Sequence, residues 1–190
     1  MDEGVSDRMP EWISNIDAYI LLFLQETVRS PFLTPVVEAV TMLGDGAIFW
    51  IAVSLILLAI PKTRKAGSAG LLALVLSLLV NNIILKNLVG RIRPFDMIEG
   101  LMPLIKRPGD FSFPSGHTGS SFAAAWVLYR RLRGWKGVLA LVLAGLIGLS
   151  RLYLGVHYPT DVLFGVVSGI GCGYAADLII KKICKEKAIM

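Results

Sequence analysis

The sequence predicts an all-α, polytopic membrane protein: a single membrane-embedded domain, residues 1–190, folded as a bundle of six transmembrane helices. Three observations carry that prediction. The chain is 55% hydrophobic and only 17% charged, where a soluble domain averages about 45–50% and about 25%. Several apolar runs approach the roughly 20 residues that cross a bilayer, and none alternates as a strand does. The basic residues gather in three connections instead of being dispersed.

The apolar segments follow in chain order. Residues 12–28 are amphipathic, with Asn15, Asp17, Gln25 and Glu26 among them, a composition that suits a short span or an interfacial helix. Residues 35–60 form the second run, interrupted by Gly44-Asp45-Gly46. The third covers 66–88, the fourth 115–132, the fifth 137–154 and the sixth 159–180. In lipid each run must satisfy its own backbone hydrogen bonds, which makes it a helix. The longest polar connection, 89–114, lies between the third and fourth.

Loop charge sets the orientation. "PKTRK" carries Lys62, Arg64 and Lys65; "RRLRGWK" carries Arg130, Arg131, Arg133 and Lys136; the tail "KKICKEK" carries Lys181, Lys182, Lys185 and Lys187, together more than half of the 19 basic residues. With six spans all three stretches fall on one side, which the positive-inside rule makes cytoplasmic, along with both termini. The net charge of +5 then reports topology, and no nucleic-acid partner is expected. The acidic start "MDEGVSDRMPEW" lacks the basic region and short apolar run of a cleavable signal peptide. Cys172 and Cys184 offer neither a disulfide framework nor zinc-ligand spacing.

The opposite side collects ionisable groups. Lys86, Arg91 and Arg93 end the third segment; Pro114, Ser115, Gly116 and His117 open the fourth; Arg151, His157 and Asp161 join the fifth to the sixth. Charges at membrane depth are costly, so each is a functional candidate. Pro114 and Pro159 suit the first turn of a helix, with Ser115 near a cap. Helix N-termini beside cations favour an anion, and arginine's fork suits phosphate. Gly116 lets backbone approach an oxyanion. His157 and Asp161, four apart, place a carboxylate on one imidazole nitrogen and leave the other free as nucleophile or base. His117 arrives from another helix, so one histidine can attack phosphorus while the other protonates the leaving oxygen.

These residues form three spaced motifs: Lys86, six residues, Arg93-Pro94; Pro114-Ser115-Gly116-His117; and Ser150-Arg151, five residues, His157, three residues, Asp161. Their order and spacing resemble the type 2 phosphatidic acid phosphatase superfamily of integral-membrane lipid phosphatases. The resemblance implies that Lys86, Arg93 and Arg151 grip phosphate with Ser115 and Gly116 assisting. It implies that His157 is the nucleophile, oriented by Asp161, and that His117 protonates the leaving group. It implies no metal and no cofactor, since cations stand where a metal would. Arg91 lies outside the motifs and is expected as an auxiliary contact. The implied activity is hydrolysis of a phosphate or diphosphate on a membrane lipid at the extracytoplasmic face of the plasma membrane, with undecaprenyl diphosphate the favoured substrate. Alternatives are a phosphatidylglycerophosphate or phosphatidic acid phosphatase, or a non-hydrolytic lipid-phosphate transferase or binding protein. The expected partners are that lipid and the bilayer. Lys106 and Arg107, in the long connection, can meet a second phosphate or anionic headgroups.

Overall fold

A computed structural model describes residues 9–132 and 134–186; the first eight residues, Arg133 and residues 187–190 lie outside the described residues, as do the side chains of 185 and 186. The signal-peptide reading of the N-terminus, and Arg133, Lys185 and Lys187 of the basic stretches, therefore fall outside them.

All six apolar segments fold as helix. The first is α1 (Glu11–Phe23), running on into a wider π turn, Leu24–Val28. The second is α2 (Leu33–Met42) and α3 (Ile48–Ala59), broken at the Gly44-Asp45-Gly46 turn. The third is α4 (Arg64–Ser77), which widens into a π stretch over Leu78–Leu85 and ends in α5 (Lys86–Val89). The long connection holds only α6 (Pro94–Met97). The last three are α7 (Gly116–Arg131), α8 (Trp135–Tyr153) and α9 (Pro159–Glu186).

Length and composition qualify three stretches to cross a membrane, Pro61–Met97, Trp135–Tyr153 and Pro159–Cys184; the α2–α3 pair, bent by 46°, makes a fourth when taken as one span. The 16 residues of α7 reach about 24 Å, short of a core of about 30 Å, and α1 has 13 residues with Glu11 and Asp17 among them. Outward residues Val142, Leu163 and Val167 are more than half exposed, an apolar surface that matches lipid. The chain is a membrane protein.

Small residues bring the helices together. A Cβ on Gly165 would lie 3.0 Å from the Ser115 carbonyl oxygen, one on Gly169 would collide with the Gly119 carbonyl, and one on Gly173 would lie 2.5 Å from the Ala123 carbonyl. Contact therefore climbs both helices in step, so α9 runs parallel to α7 with backbones nearly touching. Ala69 and Ala73 of α4 pack with Ala123 and Val127 of α7 and with Cys172 and Ala176 of α9. The early part of α4 thus meets the late parts of α7 and α9, making α4 antiparallel to both. At that end Asp177 is buried and pairs with Arg130, Arg131 and Lys181. The described residues of the three basic stretches share this end. The start of α7, the start of α9 and the end of α4 share the other.

Candidate active site

Lys86, Arg93, Gly116, His117, Arg151 and His157 line one cavity of about 1050 Å³. Ser115 and Asp161 stand one layer behind it, fully buried.

Each side chain is aimed by local structure. The π stretch before Lys86 inserts a wider turn, a distortion common at functional positions. Gly90, at φ 63°, then ends the helix where a left-handed residue is needed. Lys86 is buried and pairs with Asp110. Arg93 precedes Pro94 in extended backbone. Its Nη1 donates to the Val156 carbonyl at 2.7 Å and lies 3.4 Å from His157 Nε2; its Nη2 pairs with Asp110 Oδ1 at 2.6 Å. Arg151 donates from Nη1 to Thr41 Oγ1 at 2.7 Å. Its buried Nε has no hydrogen-bond partner among the described residues, a donor ready for a ligand.

Pro114 lies outside the helix it was expected to open. Ser115 is the N-cap and α7 begins at Gly116, because the serine hydroxyl accepts from the Thr118 amide and closes the first turn there. Ser115 Oγ also accepts from the Thr118 hydroxyl at 2.9 Å. Ser115 thus serves the cavity through its cap, and Gly116 faces the cavity itself. A Cβ on Gly116 would lie 2.8 Å from Asn82 Oδ1. Pro159 does open α9, with Asp161 in its first turn.

Asp161 is held on every side. Oδ2 accepts from the Tyr158 amide at 3.0 Å and from the Ser112 hydroxyl, and lies 3.4 Å from His157 Nδ1. Oδ1 accepts from Arg91 Nη1 at 2.9 Å. His157 Nδ1 thus faces a carboxylate while Nε2 faces Arg93 and the cavity. Burial and the neighbouring Arg93, opposed by the Asp161 contact, push the His157 imidazole down to about 3, so at neutral pH it is uncharged and keeps a lone pair.

Three acidic and basic residues acquire places that motif reasoning did not provide. Arg91 lies behind Asp161, buried, bridging it to Asp17 of α1 at 2.9 Å and stacking 3.7 Å over the Tyr158 ring. Arg91 is thereby the arginine that pairs with Asp161. Asp110, from the long connection, sits on Lys86 and Arg93. Burial raises this carboxyl, but hydrogen bonds and charge from Lys86 and Arg93 outweigh it and hold the group at about 2. Asp45 meets His117. The Gly-Asp-Gly break was the sequence signal for Asp45; Asp110 had none.

The PAP2 superfamily model matches residues 69–183. An undecaprenyl-diphosphatase of Sulfolobus acidocaldarius is 32% identical over 63% of this chain, and the match spans 58% of that relative's length. Among solved structures, Aquifex aeolicus LpxE superposes with a TM-score of 0.77 at 26% identity, over 91% of this chain and 98% of that one. A transmembrane PAP2-type phosphatidylglycerolphosphate phosphatase of Bacillus subtilis gives 0.74 at 28% identity, over 92% and 89%. The chain belongs to the PAP2 superfamily, as an enzyme of the phosphatase class.

Proposed function

We propose that this protein hydrolyses a phosphate or diphosphate on a membrane lipid through a phosphohistidine intermediate, with undecaprenyl diphosphate as substrate. The observation that carries the proposal is the cavity. Lys86, Arg93, Arg151 and the start of α7 surround two histidines at one end, and the wall continues through Leu78, Val75, Leu74, Leu71 and Ile51. An anionic head and a hydrocarbon tail are thereby accommodated in one continuous space. The name of the Sulfolobus relative favours the polyprenyl diphosphate.

In this reading Lys86, Arg93 and Arg151 neutralise the phosphoryl oxygens, and the N-terminal amides of α7, set by Ser115 and exposed by Gly116, add donors. His157 Nε2 attacks phosphorus. The bond to the leaving oxygen breaks, its electron pair stays on oxygen, and His117 supplies the proton. Asp161 stabilises the charge that develops on His157. Water then attacks phosphorus and releases inorganic phosphate. Lys106 and Arg107, on the cavity rim, receive the second phosphate of a diphosphate. All six helical segments cross the bilayer as one domain, the site opens on the extracytoplasmic face, and the basic end and both termini are cytoplasmic.

The test is phosphate release by the detergent-purified protein in EDTA, with undecaprenyl diphosphate, phosphatidylglycerophosphate and phosphatidic acid compared. Release that survives EDTA and disappears in His157→Ala supports the mechanism, and the preferred lipid names the substrate. Release that persists in His157→Ala removes the mechanism; lipid binding without release points to a transferase or binding protein.

A further inference from the structure

The break in the second apolar segment has no role in the mechanism above, although it is costly. An interrupted helix at membrane depth leaves backbone groups to be satisfied elsewhere. Here Gly46 and Ala47 both adopt left-handed backbone, φ 54° and 56°, and an alanine there is strained by roughly 1 kcal/mol or more. The break is aimed at one side chain. A Cβ on Gly44 would lie 2.6 Å from His117 Cδ2 and 2.9 Å from Ile147 Cγ2, so only glycine lets the turn close against the ring. Asp45 then meets His117 Nε2 at 2.7 Å, and His117 is its one ion-pair partner among the described residues.

We infer that Asp45 is the positioning residue for His117: its carboxylate accepts the hydrogen bond from Nε2–H, fixes the tautomer, supports the charged ring, and leaves Nδ1 to serve the substrate. This rests on the role proposed for His117. The surroundings make such a partner necessary. Arg151 of α8, Lys86 of α5 and Arg93 face the same cavity as His117, with Lys106 and Arg107 at its rim, and all oppose a further positive charge. His157, across the cavity, is neutral. Of the other carboxylates there, Asp110 is committed to Lys86 and Arg93. Glu38 of α2 lines the wall without an ion pair to His117. Among the described residues, Asp45 is the carboxylate within hydrogen-bond reach of the ring.

The chemistry balances over the cycle. Charged His117 gives its Nδ1 proton to the leaving oxygen as the phosphorus–oxygen bond breaks. The neutral ring keeps Nε2–H on Asp45 and a lone pair on Nδ1. That lone pair takes a proton from the water that attacks phosphohistidine, as the phosphorus–nitrogen bond breaks and His157 leaves with its electron pair. His117 is charged again.

Leaving-group dependence separates this role from a structural one. In Asp45→Asn, turnover of phosphatidic acid, a monoester whose alkoxide leaving group needs a proton, falls about 100-fold or more, while turnover of p-nitrophenyl phosphate, whose leaving group needs none, falls less than about tenfold. The alkaline limb of kcat on the lipid moves to lower pH by about one unit, and Asp45→Glu recovers part of both effects. Equal losses on the two substrates, or an unmoved alkaline limb, would overturn the inference. The chain has two histidines, so 15N-histidine NMR in detergent reads His117 directly, assigned with His117→Gln. Loss of the Nε2–H tautomer and a lower titration midpoint in Asp45→Asn are expected; an unchanged His117 spectrum rejects the role. Should the wild type hydrolyse neither substrate, the phosphatase reading fails, and the NMR titration still decides on Asp45.

Discussion

Arg91 ties Asp161, beside the proposed nucleophile His157, to the first helix. Its guanidinium spans Asp161 and Asp17 with all three side chains buried, and Thr160 joins through its hydroxyl and amide. Removing one member of a buried ionic set strands the others, at about 3–5 kcal/mol. Arg91→Ala is therefore expected to lower the thermal midpoint in detergent strongly, and to reduce kcat more than it raises KM, because Asp161 loses its anchor while the cavity lining is untouched. Asp110 acts in the opposite sense. Its carboxylate occupies the cations that a phosphate would use, so substrate must displace it. Asp110→Asn should strengthen inhibition by inorganic phosphate severalfold; unchanged inhibition would show that Asp110 moves aside without competing. His157 gives a pH signature. Its folded value of about 3 lies below the ordinary value near 6.5. Between those values the unfolded chain binds the extra proton, so stability falls as pH drops through that window. Thermal midpoints of His157→Gln should decline less steeply from pH 6.5 to 4 than those of the wild type.

Among the helices, the α7–α9 contact positions the site. Ser115 and His117 lie at the start of one helix and Asp161 in the first turn of its parallel neighbour, and the Ser115 amide donates to the Asp161 carbonyl at 3.2 Å. Without a hydrophobic drive between helices in lipid, this contact depends on close packing. Gly169 and Gly171 provide a matched comparison. A Cβ on Gly169 meets the Gly119 carbonyl, whereas one on Gly171 meets nothing within 4 Å. Gly169→Ala should destabilise by about 1–3 kcal/mol through forced backbone movement, read as a lower midpoint and lost activity. Gly171→Ala should leave both within error.

The complete bundle presents two unlike ends and a cavity that runs from polar to apolar. The basic end holds Arg130, Arg131 and Lys181 around Asp177; the other end holds both histidines. Leu78 and Val75, each about half exposed, face the apolar part of the cavity. Leu78→Trp shortens that wall. Displacing about two methylenes of lipid costs about 1.6 kcal/mol, or some tenfold in KM for a long-chain lipid phosphate, with p-nitrophenyl phosphate turnover unaffected. Equal effects on both would move the tail to another part of the surface.

Much of this was legible before folding. Hydrophobic run length marks each helical segment without reference to its neighbours, because the solvent, not the partner, demands internal hydrogen bonding. The spacing from Lys86 to Arg93, from Pro114 to His117 and from Arg151 to Asp161 names the residues that line the cavity or stand directly behind it, because those segment ends fall on one side when the basic loops fall on the other. Pairings between segments were not legible. Arg91, rather than Arg151, takes Asp161, although the two arginines are equivalent in charge. Asp45 and Asp110 are ordinary loop carboxylates until a turn and a long connection carry them to His117 and to Lys86. Their partners lie 72 and 24 positions away, and no local periodicity encodes a contact at that separation. Span length likewise escapes hydropathy where α7 is short and α2–α3 is bent, since a helix ends where its cap and backbone permit.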